Sequence, residues 1–242
     1  MRIAILSDIH SNLEALEAVC HEMDRLGVDS VYFAGDVVGY GPDPNLCTRW
    51  VLENADAAVA GNHDFAAVGM MDSDSFNTNA KDAIQWNASQ LEDELVDYLV
   101  SLPMMETRNG VTLVHASPRL PDQWEYIFTL WDAEENFAHF EGTFCFVGHS
   151  HQPVMVCMDS EGSVAVIPGD KLISEEGCRY LINVGSVGQP RDGNPDACFG
   201  LLDTELSEFS LVRARYEISV TQEKMFREGL PQALSDRLSE GR

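Results

Sequence analysis

Five short motifs hold five of the seven histidines, together with three aspartates and an asparagine: Asp8-Ile9-His10, Gly35-Asp36, Gly61-Asn62-His63-Asp64, His115, and Gly148-His149-Ser150-His151. Carboxylate, amide and imidazole are the mixture that suits divalent transition metals such as Mn, Fe, Zn, Ni or Co. Asp8 and His10 are two positions apart, so extended backbone would turn both toward one ion. His149 and His151 repeat that spacing. A carboxylate has two oxygens with spare lone pairs, so Asp36 can bridge two ions, and Asn62 and His115 can complete the second. Two metals about 3.5–4 Å apart lower the pKa of a bridging water and hold both oxygens of an in-line phosphoryl displacement. His63 is not needed as a ligand. It suits a general acid for a leaving alcohol, with Asp64 fixing its tautomer and raising its pKa. Each motif alone is an ordinary turn sequence; their joint occurrence at expected strand ends is what points to a site. His21 and His139 fall outside the motifs and receive no role.

Such a site needs a scaffold that gathers distant segments. Arg2 to Ser7 is a short isoleucine-rich apolar run, expected as a buried strand. Asn12 then stands as an N-cap before Leu13, Leu16, Val19, Cys20, Met23 and Leu26 at helical spacing, and Gly27 closes the helix. A second strand is expected over 31–34, a Gly/Pro-punctuated loop over 37–45, a helix over 45–53 and a third strand over 57–60. This alternation predicts an α/β layered fold, in which ligands gather beyond the carboxyl ends of strands. Residues 69–78 read as a mobile loop and 81–102 as two helices meeting near Ser89. Strands are expected at 111–114 and 143–147, with a helix over 132–140. Hairpin-like strands follow at 154–158, 163–167, 180–184, 199–203 and 208–216. No Pro-, Gly- or Ser-rich linker divides the 242 residues. One domain over 1–242 is expected, with 220–242 as a polar helical tail broken by Gly229 and Pro231.

Taken in order, D-x-H, G-D, G-N-H-D, a lone histidine after a strand, and G-H-x-H resemble the calcineurin-like metallophosphoesterase superfamily over residues 8–151. Phe76-Asn77, Ala83-Ile84-Gln85-Trp86, Leu102-Pro103, His115-Ala116-Ser117-Pro118 and Asn183-Val184-Gly185-Ser186-Val187-Gly188-Gln189-Pro190-Arg191 extend the likeness, resembling the small prokaryotic phosphodiesterase branch. The resemblance implies a four-layer αββα sandwich of two mixed β-sheets flanked by helices, a dinuclear metal centre, and hydrolysis of phosphate mono- or diesters. It also divides the ligands. One ion takes Asp8, His10, Asp36 and His151, and the other takes Asp36, Asn62, His115 and His149, with water or hydroxide in the remaining positions.

Three further residues are candidates for substrate contact, each with a plainer alternative. Asn12 can bond a substrate phosphate or serve only as the helix N-cap. Tyr40 can stack on or bond substrate, or pack on its own loop. Arg191 can clamp a phosphate bidentately, or pair with Asp192 or another carboxylate. Phe65, Trp86, Trp124 and Trp131 read as core.

The balance of 15 basic against 40 acidic residues, net −25, disfavours polymeric nucleic acid as the main partner, since that affinity comes from cations on phosphates. A small phosphorylated substrate stays compatible, because two bound metals would supply local positive charge and distant acidic groups are screened beyond roughly 8–10 Å. The first residues are too short an apolar run for a signal peptide, no stretch approaches a membrane span, and the six cysteines form no C-x-x-C pair. A cytoplasmic protein with buried thiols and no membrane association is expected; no pattern fixes its oligomeric state. Two other functions compete: a phosphoprotein (Ser/Thr) phosphatase, disfavoured by the scarcity of cations, and a non-catalytic metal-binding scaffold, disfavoured by the full ligand set.

Overall fold

In the computed structural model of the chain, which describes residues 1–242 apart from the side chain of Ser75, two six-stranded sheets lie face to face. The first runs in the order β3 (Ala57–Ala58), β2 (Ser30–Phe33), β1 (Arg2–Leu6), β11 (Ala197–Asp203), β12 (Glu208–Ala214) and β9 (Lys171–Ile173). The second runs β4 (Met105–Arg108), β5 (Val111–Val114), β6 (Phe144–Val147), β10 (Arg179–Asn183), β7 (Val154–Met158) and β8 (Val164–Ile167). Parallel pairing joins β1 to β2, β2 to β3, β5 to β6 and β6 to β10; the other neighbours are antiparallel. Both sheets are therefore mixed.

Side-chain alternation along the strands builds the layers. Ile3 and Ile5 enter a core with Phe144, Phe146 and Ile182 between the sheets. Their neighbours Ala4 and Leu6 face the other way, against Leu16 and Val19 of α1 (Leu13–Leu26). Val51 of α2 (Pro44–Asn54) and Leu99 of α5 (Asp93–Ser101) share that outer core. On the far side, Cys145, Val147 and Leu181 pack with Ala133 of α6 (Leu130–Asn136) and with Phe137. The order helix, sheet, sheet, helix is the expected four-layer sandwich. The signals for α1 work as read: Asn12 Oδ1 accepts from Ala15 N at 3.1 Å, and Gly27 closes the helix in the left-handed region at φ 65°.

The tail folds back onto the body. Met225 of α7 (Ile218–Arg227), Leu230, Leu234 of α8 (Gln232–Asp236), and Leu238 in a 3₁₀ turn (Arg237–Ser239) pack with Tyr40 and with Ala80 and Ala83 of α4 (Thr78–Gln90). The break falls at Gly229 and Pro231, as expected. Among the described residues no helix is long and apolar enough to cross a membrane.

Several elements differ from the sequence reading. Strands β4 and β9 were not anticipated. β4 has no fully buried position, and β9 is three residues long with Leu172 alone buried, so neither stands out as a strand in the sequence. Gly-Asn-His-Asp is not only a turn: α3 (Asn62–Ala67) starts inside it. The 69–78 segment holds a 3₁₀ turn (Ser73–Ser75), and Asn77 caps α4 by accepting from Ala80 N at 3.1 Å. The helix expected over 132–140 gives way after Asn136 to a 3₁₀ turn (Phe137–His139). Of the aromatics read as core, Phe65 is buried but Trp131 is 65% exposed.

Candidate metal centre

All five motifs stand at the carboxyl ends of parallel strands. The first sheet delivers Asp8 and His10 after β1, Asp36 after β2 and Asn62 after β3. The second delivers His115 after β5 and His149 and His151 after β6. Convergence does not arise by strand alternation, however. Asp8, His10, Asp36, His149 and His151 all have positive φ, between 47° and 65°. Five non-glycine residues in the left-handed region store strain of order 1 kcal/mol each, which surrounding bonds must hold. Those bonds are present: Asp8 N donates to Gly35 O at 2.9 Å, His10 N to Asp36 O at 3.0 Å, and Gly148 N to His115 O at 2.9 Å. The tight approach also requires glycine. A Cβ on Gly61 would collide with the Asp36 carboxylate, and one on Gly148 with the Asp8 carboxylate.

The imidazoles are oriented from behind. His10 Nδ1 donates to Val38 O at 2.9 Å, His115 Nδ1 to Ala34 O at 2.8 Å, and His151 Nδ1 to Gln189 O at 2.6 Å. A carbonyl only accepts, so each Nδ1 carries a proton and each Nε2 is turned inward. His10 Nε2 and His151 Nε2 then face each other at 3.1 Å. His151 Nε2 also lies 3.2 Å from Asp8 Oδ1, and His115 Nε2 lies 3.2 Å from Asp36 Oδ2. Asp8 Oδ1, Asp36 Oδ2, Asn62 Oδ1, His115 Nε2 and His149 Nε2 are buried without any hydrogen-bond partner. Buried polar groups are normally paired, and so many unpartnered polar atoms in one place, most of them acceptors, are what a bound cation would satisfy. Ligand atoms of Asp8, His10 and His151 lie within 4.8 Å of one another, as do those of Asp8, Asp36 and His115, and of His10, Asp36 and His63. The donor set fits divalent metal.

Charge follows the same geometry. Burial alone would push the carboxyls of Asp8 and Asp36 up, yet the neighbouring His151 and His115 hold both below the usual carboxylate range. Burial lowers His149 to about 3 and His151 to about 4, keeping both rings neutral. Burial acts the same way on His115, but the charge and hydrogen bond of Asp36, the Asp8 charge and the Ala34 carbonyl together outweigh it and raise that ring to about 9.

Asp64 and His63 require a correction. Asp64 does not touch the His63 ring; its carboxylate accepts from Asp36 N at 2.9 Å, Gly61 N at 3.0 Å and Val38 N at 3.1 Å, tying the second and third motifs together. The α3 turn carries its side chain back toward the strand ends. Nor is His63 raised: burial lowers it well below its ordinary value. Its Nδ1 is buried without a partner, and its ring packs against His10 at 4.7 Å, Tyr40 at 4.5 Å and Phe76 at 4.8 Å.

A cavity of about 530 Å³ opens above this cluster, lined by Asp36, Asn62, His63, His149 and His151 and walled by Tyr40, Trp124, Tyr126, Arg191 and Arg237. Asn12 is not in that wall. Besides capping α1, it donates to Gly188 O at 2.8 Å and Tyr216 OH at 3.2 Å and accepts from Thr221 Oγ1 at 3.1 Å, so its plainer reading holds. Tyr40 and Arg191 do reach the cavity, with Arg191 Nη2 donating to Tyr40 OH at 3.2 Å. Asp192, the alternative partner of Arg191, pairs with Arg213 instead.

A family model for the calcineurin-like phosphoesterase superfamily domain matches residues 1–207. The chain belongs to that superfamily. An uncharacterized protein of Methanocaldococcus jannaschii is 38% identical over 244 residues, covering 99% of this chain and 98% of that protein. The crystal structure of a metallophosphoesterase from Sphaerobacter thermophilus superposes with a TM-score of 0.88 at 41% identity, covering 100% of this chain and 99% of that one. The symmetrical bis(5'-nucleosyl)-tetraphosphatase of Chromobacterium violaceum is 30% identical over 148 residues, which are 59% of this chain and 52% of that protein. Membership in the calcineurin-like phosphoesterases implies hydrolysis of phosphate esters.

For a calcineurin-like phosphoesterase, part of this cavity lies where motifs give no warning. Trp124 packs against the outer core, edge-on to Phe65 at 5.9 Å, and also lines the wall, and Tyr126 stacks on His149 with ring centroids 4.0 Å apart. Asn87 anchors the loop bearing Tyr40: its Oδ1 accepts from Gly39 N at 2.9 Å and Ser11 Oγ at 2.6 Å. Arg237 comes from the tail, beyond the span of the family model. Trp124, Tyr126 and Arg237 sit outside the long periodic segments, and Asn87 hides as one buried position on the face of α4, so only their three-dimensional placement reveals them.

Proposed function

We propose that the chain is a dinuclear metal-dependent phosphoesterase acting on phosphodiesters or other small phosphorylated metabolites. The observation that carries this reading is the convergence of unpartnered buried acceptors from both sheets on the floor of one cavity. Asp8, His10, Asp36 and His151 would hold one divalent cation, and Asp36, Asn62, His115 and His149 the other. Two such cations lower the pKa of an attacking water and offset charge building on the phosphoryl oxygens. The protein's own groups do the rest. Backbone carbonyls behind His10, His115 and His151 fix which ring nitrogen faces inward. Asp64 fixes the strand ends that present Asp36. His63, at the cavity wall with an unengaged ring nitrogen, gives a proton to the leaving oxygen. Burial favours the neutral ring in the free protein, so the proton would be taken up from solvent as the anionic substrate binds beside it and favours the imidazolium.

The curated relatives that hydrolyse bis(5'-nucleosyl) tetraphosphates support a small nucleotide-like substrate over a protein. Reloading the metal-stripped chain with Mn, Ni, Zn, Co or Fe and assaying bis-p-nitrophenyl phosphate against a phosphopeptide tests the proposal. About two ions per chain and diester turnover are expected. Fewer than one ion per chain, or no phosphoester turnover with any metal, would overturn it.

A further inference from the structure

Cations are scarce in this chain, 15 against 40 acidic residues, and most are committed to carboxylates, as Lys224 is to Asp43 at 2.8 Å. Two on the cavity wall are not. Among the described residues, Arg191 and Arg237 have no carboxylate within ion-pair distance, and both instead donate to one neutral acceptor, Gln189 Oε1, at 3.2 Å. Their guanidinium carbons stand 5.7 and 5.9 Å from the centre of the same ring, Tyr40. Arg191 Nε and Gln189 Nε2 are buried donors without partners. Like charges crowded on one neutral oxygen, with donors to spare, form a cradle suited to an anion. Burial and the adjacent Arg191 pull the Arg237 guanidinium below its ordinary range, as expected of an uncompensated pair.

The cradle is built from residues outside the candidate ligand set, and Gln189 joins the two: its backbone oxygen accepts from His151 Nδ1 at 2.6 Å. Tyr40 is the common neighbour: its ring lies 4.5 Å from both His10 and His63 and carries the arginines along with them. An anion between the guanidiniums would therefore lie beside the same ring that borders the imidazoles. We propose that Arg191 and Arg237 bind a second phosphate of the substrate, beyond the one hydrolysed, so that preferred substrates carry at least two phosphate groups. The proposal rests on the phosphoesterase reading above. It makes the tail, through Arg237, part of the binding site.

The test compares AMP with α,β-methylene-ADP, which share a nucleoside and differ in one phosphate, as competitive inhibitors of bis-p-nitrophenyl phosphate hydrolysis by the Mn-loaded full chain. A charge-assisted contact predicts that wild type prefers the two-phosphate ligand on the order of 10–100-fold. Arg237→Gln, which keeps a donor but removes the charge, should abolish most of that preference. Arg237→Lys should restore much of it. Arg191→Gln is the second variant, expected to act in the same way should the first disturb the tail. Retained preference in both glutamine variants, equal weakening toward AMP and the analogue, or no preference in wild type would each overturn the proposal. Calorimetric titration of the same ligands reads the preference without turnover. An inactive wild type would thus sink the phosphoesterase reading while still deciding the arginine pair.

Discussion

Asp36 and Asp64 are buried carboxylates in adjacent motifs, yet their surroundings separate them. Imidazoles around Asp36 overcome its burial and hold it ionised. Asp64 is pushed up to about 7 by burial and by the Asp36 charge, despite the backbone N–H groups it accepts. The sequence spacing correctly marked the residues that gather, but not how they do so. Asp-x-His was read as two side chains on one face of extended backbone, whereas left-handed turns at both positions aim them. Nor could adjacency show that Asp64 faces away from His63. Two outcomes follow at this scale. His115, raised to about 9, is imidazolium near pH 7.5 in the metal-free protein, and only the neutral ring can be a ligand. Metal loading should therefore expel a proton and strengthen as pH rises toward 9. Buffer-dependent calorimetric enthalpies read that release directly, and enthalpies independent of the buffer would contradict it. Replacing His63 with alanine should leave metal content intact and slow diester turnover by about 10²–10⁴-fold. Unchanged turnover removes His63 from the proton path.

Elements were legible where local signals and burial agree. Asn12 and Gly27 bracket α1 because capping is a local signal, and the face between them, Ala15, Leu16, Val19 and Met23, is buried at helical spacing. β1 and β6 show as apolar runs because both faces are covered, one by the opposite sheet and one by helices. The edge strands β4 and β9 escaped because exposure removes the pattern, and α3 escaped because it begins within a motif that also reads as a turn. The tail was legible as helix but not as part of the cavity wall. Leu234, fully buried against Tyr40 and α4, is its anchor. Leu234→Ala should reduce stability by about 2–5 kcal/mol, measured by urea unfolding, through lost burial and a residual cavity. Because Arg237 follows three residues later, the same variant should weaken phosphate-rich ligands more than single-phosphate ones.

At the scale of the whole molecule, a net charge of −25 surrounds a cavity meant for anions. Like charge slows the approach of an anionic substrate, and salt screens that repulsion over a Debye length of roughly 10 Å at 0.1 M. The rate constant kcat/KM for a phosphoester should therefore rise as ionic strength increases from about 10 to 100 mM. A falling profile would mean that the local cations dominate the long-range field. The candidate ligands are also divided between the two sheets, with Asp8, His10, Asp36 and Asn62 on one and His115, His149 and His151 on the other. A cation shared across that division would be a rivet as much as a reagent. Chelation should loosen the seam between the two halves, and amide exchange at the ends of β1 and β6 should quicken before that of the distant helices.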